Sequence, residues 1–86
     1  MTKKDVTIRN EKGLHARPAT FFIQKANTFK SSVWVENGTR KANAKSLLGV
    51  LSLAVSKGDV ITLSAEGADE AEAVAGLSQL ITELED

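Results

Sequence analysis

Residues 33–43 read Val33-Trp34-Val35-Glu36-Asn37-Gly38-Thr39-Arg40-Lys41-Ala42-Asn43, and they spell a β-hairpin. Val33 and Val35 flank Trp34, so the period of two gives one apolar face and turns Trp34 to the other. Asn37-Gly38 follows as the turn, because both central positions of a type I′ turn need φ > 0 and these two residues tolerate it best. Thr39 to Asn43 is expected to return antiparallel. A lone hairpin is marginal in water, so the flanking sequence has to supply further strands or helices to cover the valine face.

Upstream, Val6 and Ile8 alternate with Asp5, Thr7 and Arg9 as a first strand. Gly13 breaks that pattern. From Ala16 the spacing changes to Ala19, Phe22, Ile23 and Ala26, the stripe of an amphipathic helix, with Pro18 in the first turn where a missing N–H costs nothing. Asn27, Thr28 and Ser31-Ser32 end it. Downstream, Ser46 is placed to cap a short helix carrying Leu47, Leu48, Val50, Leu51 and Leu53, expected to stop near Lys57-Gly58. Val60, Ile61, Leu63 and Ala65 make a fourth strand. Asp69 with Glu72 predicts a capping-box start for a last helix, whose stripe is Ala73, Leu77, Leu80 and Leu84, joined by Val74 and Ile81. The order β-α-β-β-α-β-α predicts an α+β fold. It is an open-faced sandwich, a four-stranded, mainly antiparallel sheet with three helices on one face, spanning residues 1–86 as a single domain.

The 86 residues allow one modest core, and the absence of cysteine excludes disulfides, thiolate metal sites and a cysteine nucleophile. No apolar leader segment follows Met1, and no run reaches the roughly 18 apolar residues of a membrane span, so a cytoplasmic protein is expected. Net charge is zero, yet residues 1–56 hold ten bases against three acids and residues 57–86 eight acids against one base. That asymmetry reads either as internal balance between the two halves or as a basic face for an acidic partner or phosphate. With few aromatic residues and no basic helix stripe, a nucleic-acid partner is not expected.

The one histidine lies in Lys12-Gly13-Leu14-His15-Ala16-Arg17-Pro18-Ala19. Gly13 supplies a loop and Pro18 starts a helix, so His15 falls at or just before the helix N-cap. Unpaired N–H groups and a partial positive charge at that end suit an anion. The same charge works against a second positive charge on the ring, leaving a neutral, nucleophilic imidazole. Arg17 offers a forked guanidinium to the same anion. The pattern fits transient phosphorylation of His15, and equally a surface histidine beside a solvated arginine. One histidine and no cysteine do not make a metal site, and no Gly-x-Ser-x-Gly elbow supports a serine triad, so neither metal nor cofactor is expected.

Gly13-Leu14-His15-Ala16-Arg17-Pro18-Ala19 and Asn43-Ala44-Lys45-Ser46-Leu47-Leu48-Gly49-Val50-Leu51-Ser52-Leu53 together resemble the HPr family, the histidine-containing phosphocarriers of the bacterial sugar phosphotransferase system. The resemblance runs along essentially the whole chain. It implies that His15 takes phosphate on Nδ1 from enzyme I, itself charged by phosphoenolpyruvate, and passes it to IIA domains of sugar permeases. Arg17 would steady the phosphate during both transfers. Such a protein is a phosphoryl carrier and not an enzyme in its own right, and it is expected to be a monomer that touches neither membrane nor nucleic acid.

Ser46 has two compatible readings, a helix N-cap and, by resemblance to Gram-positive-type members, a site phosphorylated by an ATP-dependent serine kinase. That kinase/phosphorylase and a catabolite-control transcription factor are the further partners the resemblance allows. Leu47, Leu48 and Leu51 cannot all face the core if Val50 and Leu53 do, which leaves them either as core residues or as an apolar docking patch. Two alternatives to the sugar-branch carrier stay open. One is a regulatory interaction module switched at Ser46, the behaviour of relatives that lack the active histidine. The other is a carrier of the nitrogen-type branch of the same phosphorelay. The presence of His15 and Arg17 favours a carrier.

Overall fold

A computed structural model describes residues 1–84, so the last two residues of the expected 1–86 unit lie outside the described part. The elements are β1 (Thr2–Thr7), α1 (Ala16–Ala26), β2 (Ser32–Asn37), β3 (Arg40–Asn43), α2 (Leu47–Ser52), β4 (Val60–Glu66) and α3 (Glu70–Glu83). The strands form one sheet in the order β1-β4-β2-β3, with every pairing antiparallel. Register explains the core. Val6 lies opposite Ile61, Val35 opposite Leu63 and Val33 opposite Ala65, which sets all six on one face. All six are buried, under Phe22, Ala26, Ala73 and Leu77 of α1 and α3. This is the expected open-faced sandwich. Lys3 and Lys4 on β1 and Arg40 and Lys41 on β3 occupy the two edge strands, where charge discourages edge-to-edge pairing. Trp34 faces away from the core, half-buried, with the Lys41 ammonium 5.2 Å from its ring centroid.

Four local expectations are corrected. The hairpin turn is Gly38-Thr39, not Asn37-Gly38, since Asn37 still pairs with Arg40 in the ladder. Only Gly38, at φ +64°, enters the positive region, a pattern closer to type II′ than to I′. Asn37 is held in the strand because its amide donates to Leu53 O at 3.1 Å and Asp59 Oδ2 at 3.2 Å. Second, α2 ends at Ser52 with Leu53 as C-cap, well short of Lys57. Its last turn tightens through Leu53 N to Val50 O and Ala54 N to Leu51 O, both 3.2 Å, and Ala54 then takes φ +51°. Burial of Leu53 and Val55 carries the chain inward instead of onward as helix.

Third, α3 buries Ala73, Val74, Leu77, Ser78 and Ile81, while Leu80 and Leu84 only pack at the margin. The helix therefore meets the sheet along a face rotated from the most apolar stripe. Fourth, Asp69 precedes α3 as its N-cap but makes no side-chain cap bond. Its carboxylate instead accepts from Lys30 N at 2.8 Å, Ser31 N at 2.9 Å and Ser31 Oγ. A long-range clamp has displaced the local box, because Ser31 is buried and its backbone donor needs a partner. Glu70 takes up the near end, accepting from Gly67 N at 3.3 Å and Thr2 Oγ1 at 2.6 Å.

The Ser31 hydroxyl, followed by the Lys30 N–H, holds the Asp69 carboxyl at about 2, well below its ordinary 3.8. A depressed carboxyl stabilises the fold fully above its unfolded value and loses that contribution as pH falls toward the folded one. Stability is therefore expected to drop between about pH 4 and pH 2. Melting temperatures taken across that window should fall less steeply for Asp69→Asn than for the wild type. Parallel slopes would mean that other carboxylates govern acid unfolding.

Candidate functional site

The loop before α1 is locked from two sides. Gly13 N donates to Asn10 O at 3.2 Å and Asn10 Nδ2 returns a bond to Gly13 O at 2.7 Å. Leu14 N donates to Val55 O at 3.2 Å, and the Leu14 side chain is buried. Gly13 sits at φ +58°, and a Cβ there would lie 2.2 Å from the Val55 carbonyl oxygen, so the approach requires glycine. The buried Leu14 anchor then forces the next three residues outward, and His15, Ala16 and Arg17 are all exposed.

His15 is the N-cap of α1, in extended backbone conformation, and its ring makes no cap bond. Its carbonyl accepts from Ala19 N at 2.9 Å, which starts the helix and leaves the ring directed by the surface rather than by the backbone. Pro18 lacks an N–H, so the donors remaining at this helix end are those of Ala16 and Arg17. His15 and Arg17 line one cleft of about 680 Å³, together with Lys12, Pro18 and Phe21. The C-terminal end of α3 completes the lining through Glu83 and Leu84. A second groove of about 220 Å³ joins His15 to Leu51 of α2 and to Ala54 and Val55.

Ser46 caps α2, its Oγ accepting from Gly49 N at 3.2 Å. The leucines divide as a 100° helical step requires. Val50 is buried, Leu51 is half-buried against the core, and Leu47 and Leu48 are 41% and 80% exposed. The structure thus brings Leu51 to His15 and leaves Ser46, Leu47 and Leu48 outside both grooves, on a helix that packs against α1. The Lys45 ammonium turns away onto Phe29 O at 2.8 Å. Two lining residues, Phe21 and Glu83, lie outside the motifs that the sequence singles out. Phe21, 48% exposed, hides in the apolar run Phe21-Phe22-Ile23, and Glu83 arrives from the far end of the chain. The stripe that assigns residues 22 and 23 to the core leaves residue 21 on the open side, which was the available clue.

An exposed imidazole, a guanidinium and free helix N–H groups around one cleft can receive a tetrahedral oxyanion and form a bond to it. Residues 2–83 match the family model PTS-HPr, described as the PTS HPr component phosphorylation site. The chain belongs to the HPr family. It is 48% identical over 81 residues to the phosphocarrier protein HPr of Neisseria meningitidis serogroup A, an alignment covering 94% of this chain and 91% of that protein. It is 47% identical over 83 residues to the HPr-like protein Crh of Bacillus subtilis, covering 96% and 98%. Among solved structures, HPr-C-His from Thermoanaerobacter tengcongensis superposes with a TM-score of 0.93 at 51% identity, covering 95% of this chain and 92% of that one. The crystal structure of B. subtilis Crh, solved as a domain-swapped dimer, superposes at 0.77 with 47% identity, covering 96% and 95%. HPr-family proteins are phosphocarriers.

Proposed function

We propose that this chain is the phosphocarrier of a sugar phosphotransferase system, accepting phosphate on His15 from enzyme I and passing it to IIA domains of permeases. The observation that carries the reading is His15 at the N-cap of an eleven-residue helix, sharing a cleft with the Arg17 guanidinium. In each transfer the lone pair of a neutral imidazole nitrogen forms an N–P bond as the donor's bond to phosphorus breaks. The breaking pair stays with the donor, and the phosphoryl oxygens keep their charge throughout. Arg17 and the α1 amides stabilise that charge without moving a proton. The test is incubation with enzyme I and phosphoenolpyruvate followed by intact-mass measurement. One added phosphate, lost in acid and stable in base, marks a phosphohistidine, whereas no added mass removes the carrier reading.

The similarity to Crh supports one rival, a regulatory module acting through α2 with no phosphohistidine. The same mass experiment separates the two. Leu47, Leu48 and Leu51 serve docking in either reading, Leu51 in the groove it shares with the histidine and the other two as the exposed apolar flank. The protein is proposed to act as a cytoplasmic monomer and one folded unit, with β1 paired to β4 of its own chain. Among the described residues no helix is long and apolar enough to cross a membrane.

Ser46 is proposed as the regulatory site. A phosphate there adds about −1.5 to −2 charge beside Leu47 and Leu48 at a helix end that tolerates anions. Ser46→Asp should weaken binding to enzyme I by about 1–3 kcal/mol through like-charge approach and costlier desolvation, with the melting temperature unchanged or slightly higher. Titration of enzyme I against both proteins, with parallel melts, decides it. Equal affinities would sink the switch, and a large drop in melting temperature would point to unfolding instead.

A further inference from the structure

α3 ends at Glu83, and its last turn holds no basic residue. The C-terminal end of a helix carries the partial negative charge of unpaired carbonyls, so a base is favoured there and an acid disfavoured. Glu83 is exposed, so packing does not require it at that position. A local choice that opposes the helix and serves no packing is the kind that gathers at functional sites. The place supports this, because Glu83 lines the same cleft as His15 and Arg17. The lining of the cleft thus carries a guanidinium and the amide end of α1 together with a carboxylate and the carbonyl end of α3. Among the described residues no ion pair joins Glu83 to Arg17, so neither charge is neutralised by the other.

We infer that Glu83 is a counterweight to Arg17, lowering the cleft's hold on a phosphoryl group carried by His15 and so keeping that group transferable. The inference rests on the reading of His15 as the phosphoryl acceptor. A carrier has to release what it takes, and a cleft lined only by cations would retain a dianionic group. A carboxylate in the same lining raises the energy of the phosphorylated state and leaves the unphosphorylated state nearly untouched. Glu83 is a positioning charge in this scheme and takes no part in bond making.

The test is an equilibrium partition. Equal amounts of ¹⁵N-labelled wild type and unlabelled Glu83→Gln share a trace of enzyme I and enough phosphoenolpyruvate to charge half of the carrier, and intact masses are read in base. At low salt Glu83→Gln should hold about three times as much phosphate as the wild type, narrowing toward equality at about 0.5 M salt as charges are screened. Docking rates drop out of an equilibrium readout, so a change confined to enzyme I binding leaves the ratio at one. Glu72→Gln, an exposed acid in the first turn of the same helix, is the control and should partition equally. Equal loading of Glu83→Gln and wild type overturns the inference, and so does an equal shift in Glu72→Gln, which would make the effect one of net charge. If neither protein accepts phosphate, the reading of His15 itself has failed.

Discussion

His15→Ala is expected to take up no phosphate from enzyme I and phosphoenolpyruvate, while keeping its melting temperature and its circular dichroism. Labelling should vanish because, among the described residues, no other side chain is both nucleophilic near neutral pH and set at the free donors of a helix end. Ser46 is held as a cap by its bond from Gly49 N. The fold should survive because the ring is exposed and makes no cap bond, the setting in which substitutions usually change stability by less than about 0.5 kcal/mol. The backbone carbonyl that starts α1 is unaffected by truncation at Cβ. Acid-labile phosphate on a folded His15→Ala protein would exclude His15 as the acceptor, and an unfolded variant would show that the ring supports structure in a way the exposed geometry does not.

Arg17→Ala should retain the fold and slow transfer in both directions by about 10²- to 10³-fold, the usual loss when a fixed donor to developing negative charge is removed. The guanidinium is exposed on the first turn of α1 and shares the cleft with the histidine, so it reaches a phosphoryl group without any rearrangement of the core. Arg17→Lys separates charge from geometry. A lysine keeps the positive charge but loses the planar fork, so partial recovery is expected, and full recovery would mean that charge alone is used. Rapid-quench measurement of phosphohistidine formation supplies both rates. Rates for Arg17→Ala equal to the wild type would reduce Arg17 to a solvated surface charge.

Most of the fold is legible in the chain because its periods are clean. The alternation around Trp34 and around Thr62 sets a buried face in each strand, and the Ala19, Phe22, Ala26 spacing sets one in α1. The corrected features share a cause. The Asn37-Gly38 turn, the Asp69 cap and the end of α2 were read from residues close in sequence, whereas each is decided by a group far away. For Asn37 that group is the Leu53 carbonyl, for Asp69 the buried Ser31, and for α2 the pull of Leu53 and Val55 into the core. Local rules give the default geometry, and a buried donor or acceptor without another partner overrides it.

At the site the division is similar. By itself the sequence determines that one histidine stands at a helix start with an arginine two residues on. Gly13, the Leu14 anchor and Pro18 fall close together in the chain, and their conformational limits act within a few bonds. Only the tertiary structure decides that Leu51 shares a groove with His15 while Leu47 and Leu48 stay exposed outside it, since that depends on how α2 turns over the sheet edge to bury Val50. It alone brings Glu83 into the cleft that Arg17 lines, at a sequence separation no short motif can bridge. Charge acts through space, and the neighbours that set the potential at His15 are assigned by the packing of α3 on α1 and not by their order along the chain.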